Sequence, residues 1–455
     1  MPRVLYLRAE LLPRSETFIA AQAGALSRYT AGFAGLKQLH DTAWLGATVI
    51  AQLDEGGLWG RAARWAYLKD GERGWDEHKP ALRGLLAGVS HAALKRYGQK
   101  IAAWGPDLLH AHFATDAAAF LPILTRCEKL LERELPLVVT LHGYDVGLTD
   151  EAHAQTLLGR IYLSRRAALW RRATAFLCVS EVLYRRAIER GFPPEKLYVH
   201  YTGVAVLPRS LFDLDLAQPD RPRFDSANAD STQLERSAAE VLFVGRLVEK
   251  KGCDTLLDAV ALLVQHGQGS KLCLTLIGDG PWRSRLEEQA RQLGLFESLA
   301  GLDFMGAQSP QVVAIAMHRA RVLAVPSRRA ANGDCEGLPT VILEAMAAGL
   351  PVVATYGSGA EEALIDNRTG WLVEPGSTQA LAAGLVVGLG LGSALDLGPA
   401  PASIFVTARP TVLGQKAVWA EVSAAAEQVV RERFDLAKQT KQLERYYDQW
   451  CENVP

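Results

Sequence analysis

The stretch DCEGLPTVILEAMAAGLPVVAT, residues 334–355, carries the most information about the fold of this 455-residue chain. An apolar, helix-forming run lies between Pro339 and Gly349, and the buried-strand run PVVAT (351–355) follows at once. Proline is favoured at the first helical position and glycine just after the last, so Pro339 is expected to begin the helix and Gly349 to end it. A loop, a helix and an apolar strand in this order are typical of an α/β domain with a parallel sheet.

Apolar runs of strand length recur on both sides of this stretch, with helix-period segments between them. Because the runs are continuous rather than alternating, they are expected to be buried parallel strands. The two successive β-α-β arrays predict two Rossmann-like, doubly wound domains. The runs are VLYL (4–7), LLHAHF (108–113), LVVTLHG (137–143), FLCVS (176–180), LYVHY (197–201), VLFVG (241–245), KLCLTLIG (271–278), LDFMG (302–306), VLAVP (322–326), PVVAT (351–355) and WLV (371–373).

A change in composition marks the boundary between the two arrays. Residues 207–239 are crowded with Pro, Asp, Ser and Asn and show no sustained periodicity, which is typical of a linker. We therefore expect one domain over residues 1–206 and a second over residues 240–433. The remaining segment, 434–455, is strongly helical.

The overall composition is that of a globular protein of the size of an enzyme. Lys and Arg number 49 against 50 Asp and Glu, which argues against a disordered chain and against a nucleic-acid partner. The six cysteines form no CxxC pair and have no histidines at zinc-ligand spacing, so neither disulfides nor a metal site is expected. Charges within the N-terminal apolar run argue against a signal peptide or an anchor. We expect a cytoplasmic protein.

The small net charge conceals an uneven distribution. Residues 1–200 contain 26 basic and 20 acidic residues, whereas the rest of the chain contains 23 and 30. Part of the basic excess lies on two predicted helices, and these arginines form either a solvated helix face or a surface that docks on anionic lipid. The eight arginines are Arg160, Arg165, Arg166, Arg171, Arg172, Arg185, Arg186 and Arg190.

Two cations follow the first strand of the second array, where ligands of parallel α/β sheets bind. Arg246 stands at the strand's exit, and Lys251 comes just before a helix expected to start near Cys253. A guanidinium can bind one phosphoryl group while an ammonium neutralises its neighbour, so the pair suits a diphosphate. The alternative is a solvated charge run, since Glu249 and Lys250 lie alongside.

Two carboxylates in the opening stretch complete this pattern. With Pro339 first, Glu344 lies about 7.5 Å along the helix axis, a spacing that suits a nucleotide diphosphate sugar. The pyrophosphate would lie on the amides around 338–340, with Glu336 on sugar hydroxyls and Glu344 on both ribose hydroxyls. An acid near a helix N-terminus is favourable without any ligand, but Glu344 has only apolar neighbours, and an isolated buried carboxylate is costly.

These motifs resemble those of the retaining family 4 glycosyltransferases of the GT-B fold. The resemblance is most specific in the second domain and weaker in the first, where it is closest to bacterial exopolysaccharide glycosyltransferases of the colanic acid and amylovoran type. In the second domain it rests on VLFVGRLVEKKGCDTLLDAVALL (241–263), LIGDGPWRSRLEEQARQLGL (276–295), FMGAQSP (304–310), AVPS (324–327), EGLPTVILEAMAAGLPVVAT (336–355) and NRTGWLVEPGS (367–377). In the first domain it rests on LPRSETFIAAQ (12–22), HAHFA (110–114), TLHGYDV (140–146) and CVSE (178–181).

The resemblance implies an architecture and a role for each matching residue. Two Rossmann-like domains would face a central cleft, the first on the acceptor side and the second binding the nucleotide sugar, with the 434–455 helix packing back on the first. By this resemblance, Arg246 and Lys251 would bind the donor diphosphate, and Glu344 would bind the ribose. Glu336 and His142 would contact the donor sugar. Further contacts to the donor would come from Gly337, Leu338, Pro339 and Thr340. His142 has an alternative role as a neutral core residue, and the roles of His110 and His112 stay open.

The implied function is transfer of a hexose, with retention, from a nucleotide diphosphate sugar to an acceptor hydroxyl. A polyprenyl diphosphate-linked saccharide at the inner face of the cytoplasmic membrane is the expected acceptor, with no metal or other cofactor. The Asp213-Leu214-Asp215 triplet resembles a metal-binding DxD motif but falls in the linker. The alternatives are a soluble small-molecule acceptor, a glycoside hydrolase or phosphorylase that uses paired carboxylates, and a sugar-nucleotide binding module without activity.

Overall fold

A computed structural model describes most of the chain and divides it into two compact units. The described residues are 1–11, 16–38, 48–52, 92, 94–206, 240–391 and 415–452. The first unit comprises Met1–Gly203, Ala331–Leu338 and Leu436–Pro455, and the second comprises Val204–Ala330 and Pro339–Asp435. The predicted linker, 207–239, lies outside the described residues.

Strands and helices alternate along the first part of the chain. In chain order, the described elements up to residue 199 are β1 (Arg3–Leu11), α1 (Thr17–Gly24), β2 (Thr30–Gln38), β3 (Val49–Gln52), β4 (Leu108–His112), α2 (Ala114–Leu131), β5 (Leu137–Leu141), α3 (Tyr144–Gly147), α4 (Asp150–Ala154), α5 (Leu157–Arg172), β6 (Ala175–Cys178), α6 (Glu181–Glu189) and β7 (Leu197–Val199).

The alternation is repeated after residue 240. The described elements there are β8 (Glu240–Val244), α7 (Cys253–Gln265), β9 (Cys273–Ile277), α8 (Arg283–Gln292), α9 (Leu295–Ser298), β10 (Gly301–Gly306), α10 (Pro310–Arg319), β11 (Val322–Val325), α11 (Thr340–Ala347), β12 (Val352–Thr355), β13 (Trp371–Val373), α12 (Thr378–Leu389), α13 (Gln415–Val429), a π-helical turn (Val430–Phe434) and α14 (Leu436–Glu452).

The described strands form two sheets in which every pair is parallel. The strand order is β3-β2-β1-β4-β5-β6-β7 in the first unit and β10-β9-β8-β11-β12-β13 in the second. In both sheets the order reverses beside the first strand, between β1 and β4 and between β8 and β11. The carboxyl edge at such a reversal is where doubly wound sheets bind ligands. The prediction of two Rossmann-like arrays is confirmed.

The first sheet contains two strands that the sequence did not predict, β2 and β3. In β2, Gly32 and Gly35 interrupt the apolar run, and glycine inside a strand weakens its sequence signal. Their actual role is close packing: a Cβ added to Gly35 would lie 2.2 Å from Cγ of Leu11, and one added to Gly32 would lie 2.6 Å from Cγ1 of Ile50. These glycines let β2 approach its neighbours, as glycine does where chains pass closely.

Helix α14 lies in the first unit although it comes last in the chain. Its buried apolar residues Leu443, Tyr447 and Trp450 belong to the same core cluster as Tyr6 and Phe33 of the first sheet. A buried Glu444 carboxylate on this helix accepts hydrogen bonds from the backbone N–H groups of residues 27 and 28, each at 2.6 Å. Although burial alone would raise the pKa of Glu444, these bonds lower it below its usual range.

His200 links the end of the first array to α14 and makes this packing sensitive to acid. Its Nε2–H donates to the carbonyl oxygen of Gln439 at 3.0 Å, and burial lowers the pKa of the ring to about 4. In the unfolded chain the pKa returns to about 6.5. As the pH falls from 6.5 towards 4, the unfolded state binds a proton that the folded state does not, so stability is lost over that range.

We expect His200→Gln to remove this part of the acid sensitivity, because the Gln amide can donate to the same carbonyl without titrating. Between pH 7.5 and pH 5, the wild type should lose about 2 kcal/mol of unfolding free energy through His200 alone. Urea titrations at both pH values measure the loss for each protein. A loss in the variant as large as that in the wild type would contradict this assignment.

Candidate active site

The loop after β8 carries the two cations predicted to bind phosphate. Arg246 is exposed just beyond the carboxyl end of the strand, and Lys251 is half-buried in the turn before α7. The aliphatic part of Lys251 lies beside Gly245, since a Cβ added to that glycine would be 3.5 Å from both Cδ and Cε of the lysine. Because β8 pairs with both β9 and β11, this loop lies at the strand-order reversal of the second sheet.

Close backbone packing holds this loop in place. Gly245 N–H donates to the carbonyl of Ile277 at 2.9 Å, and Leu247 N–H donates to that of Asp279 at 2.9 Å. Gly278 has a φ of +142°, and a Cβ there would lie 1.8 Å from the carbonyl oxygen of Gly245. Only glycine fits at such a contact. The turn after β9, residues 278–281, therefore packs directly against the loop that carries Arg246.

Helix α11 begins one residue later than the sequence predicted. Pro339 is the N-cap, with φ −64° and ψ 109°, and Thr340 is the first helical residue. The proline ring fixes φ at a helical value, but ψ is still extended, so the chain turns into the helix only at the next residue. Gly349 follows the helix with a φ of +65°, as predicted. In the first turn the N–H of Ile342 donates to the carbonyl of Pro339 at 3.0 Å, and the N–H groups before it have no carbonyl partner four residues back within the helix, as at any helix N-terminus.

The carboxyl of Glu344 is half-buried within this helix. Its neighbours Leu343 and Ala345 are fully buried. Burial raises the pKa of Glu344, and the positive charge of Lys251 acts in the opposite direction. The structure therefore brings Lys251 and Glu344 close enough for their charges to interact. Lys251 follows β8 and Glu344 lies on the helix that follows β11, and the strand order reverses between these two strands.

Hydroxyl side chains at the same sheet edge were not singled out from the sequence. Ser327, just after β11, is 1% exposed, and its Oγ has no hydrogen-bond partner among the described residues. The hydroxyl of Thr355, at the end of β12, donates to the carbonyl of Ser327. The signal that could have identified them is a hydroxyl residue at the end of a continuous apolar run, in AVPS and in PVVAT.

The segment Ala331–Leu338, which the sequence placed inside the second domain, packs with the first unit. Its backbone contacts Gly143, the residue after His142: a Cβ added there would lie 2.5 Å from the carbonyl oxygen of Cys335 and 2.9 Å from the amide nitrogen of Gly337. A Cβ added to Gly337 would in turn lie 3.1 Å from the carbonyl oxygen of His142. The structure thus brings together the predicted sugar-binding residues Glu336 and His142.

Three histidines form a stack at the carboxyl ends of β4 and β5. The ring centroids of His110 and His112 are 4.6 Å apart, and those of His112 and His142 are 5.1 Å apart. Burial lowers the pKa of His110 and His112 well below the usual value. For His142, burial and then the charge of Arg8 lower the pKa to about 3. All three rings are therefore neutral at physiological pH.

Asp145 holds the backbone around this stack. Its carboxylate accepts hydrogen bonds from the backbone N–H of Ala114 at 2.6 Å and from that of His142 at 3.1 Å. Burial raises the pKa of Asp145 to about 7, although both backbone donors act in the opposite direction. This side chain therefore joins the start of α2 to the end of β5, the strand that carries His142.

Two family models match the chain. The model described as Glycosyl transferases group 1 matches residues 226–386, and the model described as Glycosyltransferase Family 4 matches residues 70–206. Together they span more than half of the chain. The chain therefore contains a family 4 glycosyltransferase domain followed by a group 1 glycosyltransferase domain.

Curated relatives agree with this placement. Over 328 residues, this glycosyltransferase is 29% identical to the putative colanic acid biosynthesis glycosyltransferase WcaL of Salmonella typhimurium, covering 71% of this chain and 69% of that protein. It is 32% identical over 207 residues to the amylovoran biosynthesis glycosyltransferase AmsK of Erwinia amylovora, covering 46% and 45% of the two chains. It is thus related to enzymes of exopolysaccharide biosynthesis.

A solved structure shares the fold. The crystal structure of Anabaena HepE in complex with UDP-glucose matches 99% of this chain and 100% of that chain, with a TM-score of 0.66 and 18% sequence identity. With its two parallel Rossmann-like sheets, this glycosyltransferase has the predicted GT-B fold.

A buried charge cluster at the strand-order reversal of the first sheet was also missed. Arg8 on β1 is 5% exposed and forms ion pairs with Asp116 of α2 and with Glu16, the latter at 2.5 Å. Its Nη1 also donates to the carbonyl of His112 at 2.9 Å, and its guanidinium lies over the ring of Phe113, 4.5 Å from the centroid. The available signal was a charged residue inside the otherwise apolar strand run VLYLRAEL.

Most of the eight arginines on α5, on α6 and at the C-cap of α6 make contacts inside the first unit. Arg166 pairs with Asp150 at 2.8 Å, and Arg190 donates to the carbonyls of Val146, Gly147 and Leu148. Further hydrogen bonds join Arg160 to Ala154, Arg165 to Ala118, Arg172 to Leu135 and Arg186 to Cys335. Arg171 and Arg185, by contrast, are exposed. The basic surface is therefore smaller than the sequence count suggested.

Neither a metal cluster nor a membrane span occurs among the residues that the structure describes. Within them, no group of three His, Cys, Asp or Glu side chains is arranged to hold a metal ion. No helix in the same residues is long and apolar enough to cross a bilayer. The Asp213-Leu214-Asp215 triplet lies outside the described residues.

Proposed function

We propose that this glycosyltransferase moves a hexose from a nucleotide diphosphate sugar to an acceptor hydroxyl, with retention at the anomeric carbon and without a metal ion. One observation carries the proposal: Arg246 and Lys251 follow β8 at the strand-order reversal of the second sheet, and the charge of Lys251 acts on Glu344 of α11. This is where a doubly wound sheet binds a nucleotide, and these are the groups that a nucleoside diphosphate requires.

The cations would stabilise the leaving group. As the bond to the sugar breaks, negative charge grows on the departing diphosphate. Arg246 is exposed and can bind a phosphoryl group with two N–H donors, whereas Lys251 has its aliphatic part beside Gly245 and supplies a positive charge that also acts on Glu344. The backbone N–H groups of Leu338 and Thr340, on either side of Pro339, would add hydrogen bonds, and the helix dipole of α11 would favour the anion.

The carboxylates and the histidine would fix the two sugars of the donor. Glu344 would accept hydrogen bonds from both ribose hydroxyls, and Glu336 would bind the donor hexose near its anomeric carbon. His142 would contact the same hexose, because its strand end packs directly against the segment that carries Glu336. The acceptor would attack from the face that the diphosphate leaves, and a phosphate oxygen would take its proton.

The acceptor proposed is a polyprenyl diphosphate-linked saccharide in the assembly of an exopolysaccharide or other surface polysaccharide. The colanic acid and amylovoran enzymes to which the chain is similar support this choice. Such an acceptor would bring the enzyme to the inner face of the cytoplasmic membrane. The proposal is tested by incubating a set of nucleotide sugars with lipid-linked and with soluble acceptors, followed by mass and linkage analysis of the products. An inverted anomeric configuration would disprove retention.

We expect nucleoside diphosphate alone to stabilise the protein. At 100 times its dissociation constant, a ligand specific for the folded state adds about 2.7 kcal/mol, which corresponds to a rise in melting temperature of about 3 °C if a chain of this length unfolds as one unit. Thermal melts with UDP, GDP and ADP in the presence of EDTA measure the effect and identify the base. A hydrolase with paired carboxylates would show no such stabilisation.

The variant Arg246→Ala should lose most of that stabilisation. A suitable control is Arg291→Ala, which removes an exposed arginine that pairs with Glu288 on α8. If both variants respond to the nucleotide as the wild type does, Arg246 does not bind the diphosphate.

A further inference from the structure

The histidine stack contains a hydrogen bond whose direction decides what His142 offers to a ligand. Nδ1 of His112 and Nε2 of His142 are 2.9 Å apart. Both rings are neutral at physiological pH, so each carries a single N–H. One ring must therefore donate across this contact and the other must accept.

His110, the first ring of the stack, already has partners for both nitrogens. Its Nδ1 is 2.5 Å from the hydroxyl of Tyr447, and its Nε2 is 2.7 Å from the hydroxyl of Thr140. Because hydroxyls both donate and accept, either tautomer of His110 is satisfied. His110 therefore places no restriction on the hydrogen bond between the other two rings.

His112 does restrict it. The side chain is 1% exposed, and its Nε2 is buried with no hydrogen-bond partner among the described residues. If His142 donated to His112, the proton of His112 would have to be on Nε2, as an unpaired N–H in the interior. Unpaired buried N–H groups are rare in folded proteins because their desolvation is not repaid. With the opposite direction, His112 keeps its proton on Nδ1, where it is hydrogen-bonded.

We propose that His112 donates through Nδ1–H to Nε2 of His142 and so fixes His142 as its Nδ1–H tautomer. His142 then presents an N–H donor at the nitrogen that has no hydrogen-bond partner among the described residues. His112 is thus a positioning residue, which acts on the substrate only through His142. The identity of the ligand as the donor hexose rests on the proposed function, but the tautomer does not.

The consequence concerns the part of the ligand that His142 contacts. An Nδ1–H group binds an oxygen lone pair and cannot accept a proton from the substrate while the ring is neutral. His142 would therefore hold a hexose oxygen in place without serving as a base. This agrees with a mechanism in which the leaving phosphate takes the acceptor's proton.

The tautomer can be measured directly in the full-length protein. Long-range ¹H–¹⁵N correlation spectra of protein labelled with ring-¹⁵N histidine separate protonated from bare ring nitrogens, and the His142→Gln variant assigns the signals of His142. We expect the Nδ1 signal of His142 to be of the protonated type and its Nε2 signal to be of the bare type. Protonated Nε2 in the wild type would overturn the proposal.

Two substitutions of His112 test its role. In His112→Leu the donor is lost, so His142 should shift towards protonated Nε2. Transfer should fall about 10- to 100-fold, by analogy with the removal of residues that orient metal-binding histidines. In His112→Asn the side-chain amide can donate from near the former Nδ1 position, so the Nδ1–H signal and much of the activity should return. An unchanged His142 spectrum in His112→Leu would overturn the proposal.

A control separates this effect from the loss of a buried ring. His153 is also 1% exposed in the first unit and packs against Tyr144 and Tyr162 rather than in the stack. The variant His153→Phe should keep the wild-type tautomer of His142. The spectra decide the tautomer, whereas full transfer by His142→Ala would disprove the proposed role of His142 in the reaction and leave the tautomer result standing.

Discussion

Replacing Glu336 by Gln should reduce the rate of sugar transfer by about two to three orders of magnitude, the usual cost of removing one preorganised group that stabilises a transition state. Gln has almost the same shape but no negative charge, so it binds sugar hydroxyls less strongly and cannot oppose the positive charge that develops on the anomeric carbon. Initial rates at saturating donor measure the loss. The melting temperature should stay within about 1 °C of the wild type.

Asp334→Asn is the matched control for this substitution. Asp334 lies two positions earlier on the same segment, where its backbone N–H donates to the side chain of Asn332 at 3.0 Å. It has no place in the proposed chemistry, so the neutral variant should keep most of the activity. If Glu336→Gln retained full activity, or if both variants lost it equally, the assignment of Glu336 would be wrong.

Replacing Gly143 by Ala should damage both stability and activity. The φ of +109° at Gly143 is a conformation that residues with a Cβ rarely adopt, and the new methyl carbon would lie 2.5 Å from the carbonyl oxygen of Cys335. The backbone strain alone costs about 1–3 kcal/mol. The segment that carries Glu336 would be displaced, and a shift of about 1 Å in a reacting group can cost about 100-fold in rate. Thermal melts and rates well below the melting temperature measure the two effects.

Gly267→Ala separates backbone strain from the close contact. Gly267 follows α7 with a φ of +77°, and a Cβ added there meets nothing within 4 Å. This variant should lose some stability and keep its full rate. A Gly143→Ala protein that is destabilised but transfers sugar normally would show that the contact with residues 335–337 does not position Glu336.

The sheets were largely predictable from the sequence. All eleven continuous apolar runs coincide with strands, because a strand buried on both faces needs apolar residues at every position. β2 escaped detection since Gly32 and Gly35 serve close packing against neighbouring chains, and a sequence read alone does not reveal which atoms will lie opposite a glycine. The helix start was predicted to within one residue, which is as far as a proline signal determines it.

The candidate residues were found more readily than their surroundings. Arg246, Lys251 and Glu344 follow apolar runs or interrupt them, so they stand out by charge. The packing of segment 331–338 on Gly143, by contrast, depends on backbone atoms nearly 200 positions apart, and no local pattern encodes it. The ion cluster of Arg8 was similarly hidden, because its partner Asp116 is distant in sequence and each charge alone could have been on the surface.

The location of α14 in the first unit affects the order of events while the chain is being made. The sheet of this unit emerges from the ribosome early, but Leu443, Tyr447 and Trp450, which cover part of its core, are added after the second unit. At about 5–20 residues per second, the roughly 240 residues between Gly203 and Leu443 take about 12–50 s to synthesise. Throughout this interval the core around Tyr6 and Phe33 lacks the side chains of α14, which leaves apolar surface open to chaperones or to misassociation. The first unit to be translated is therefore the last to be completed.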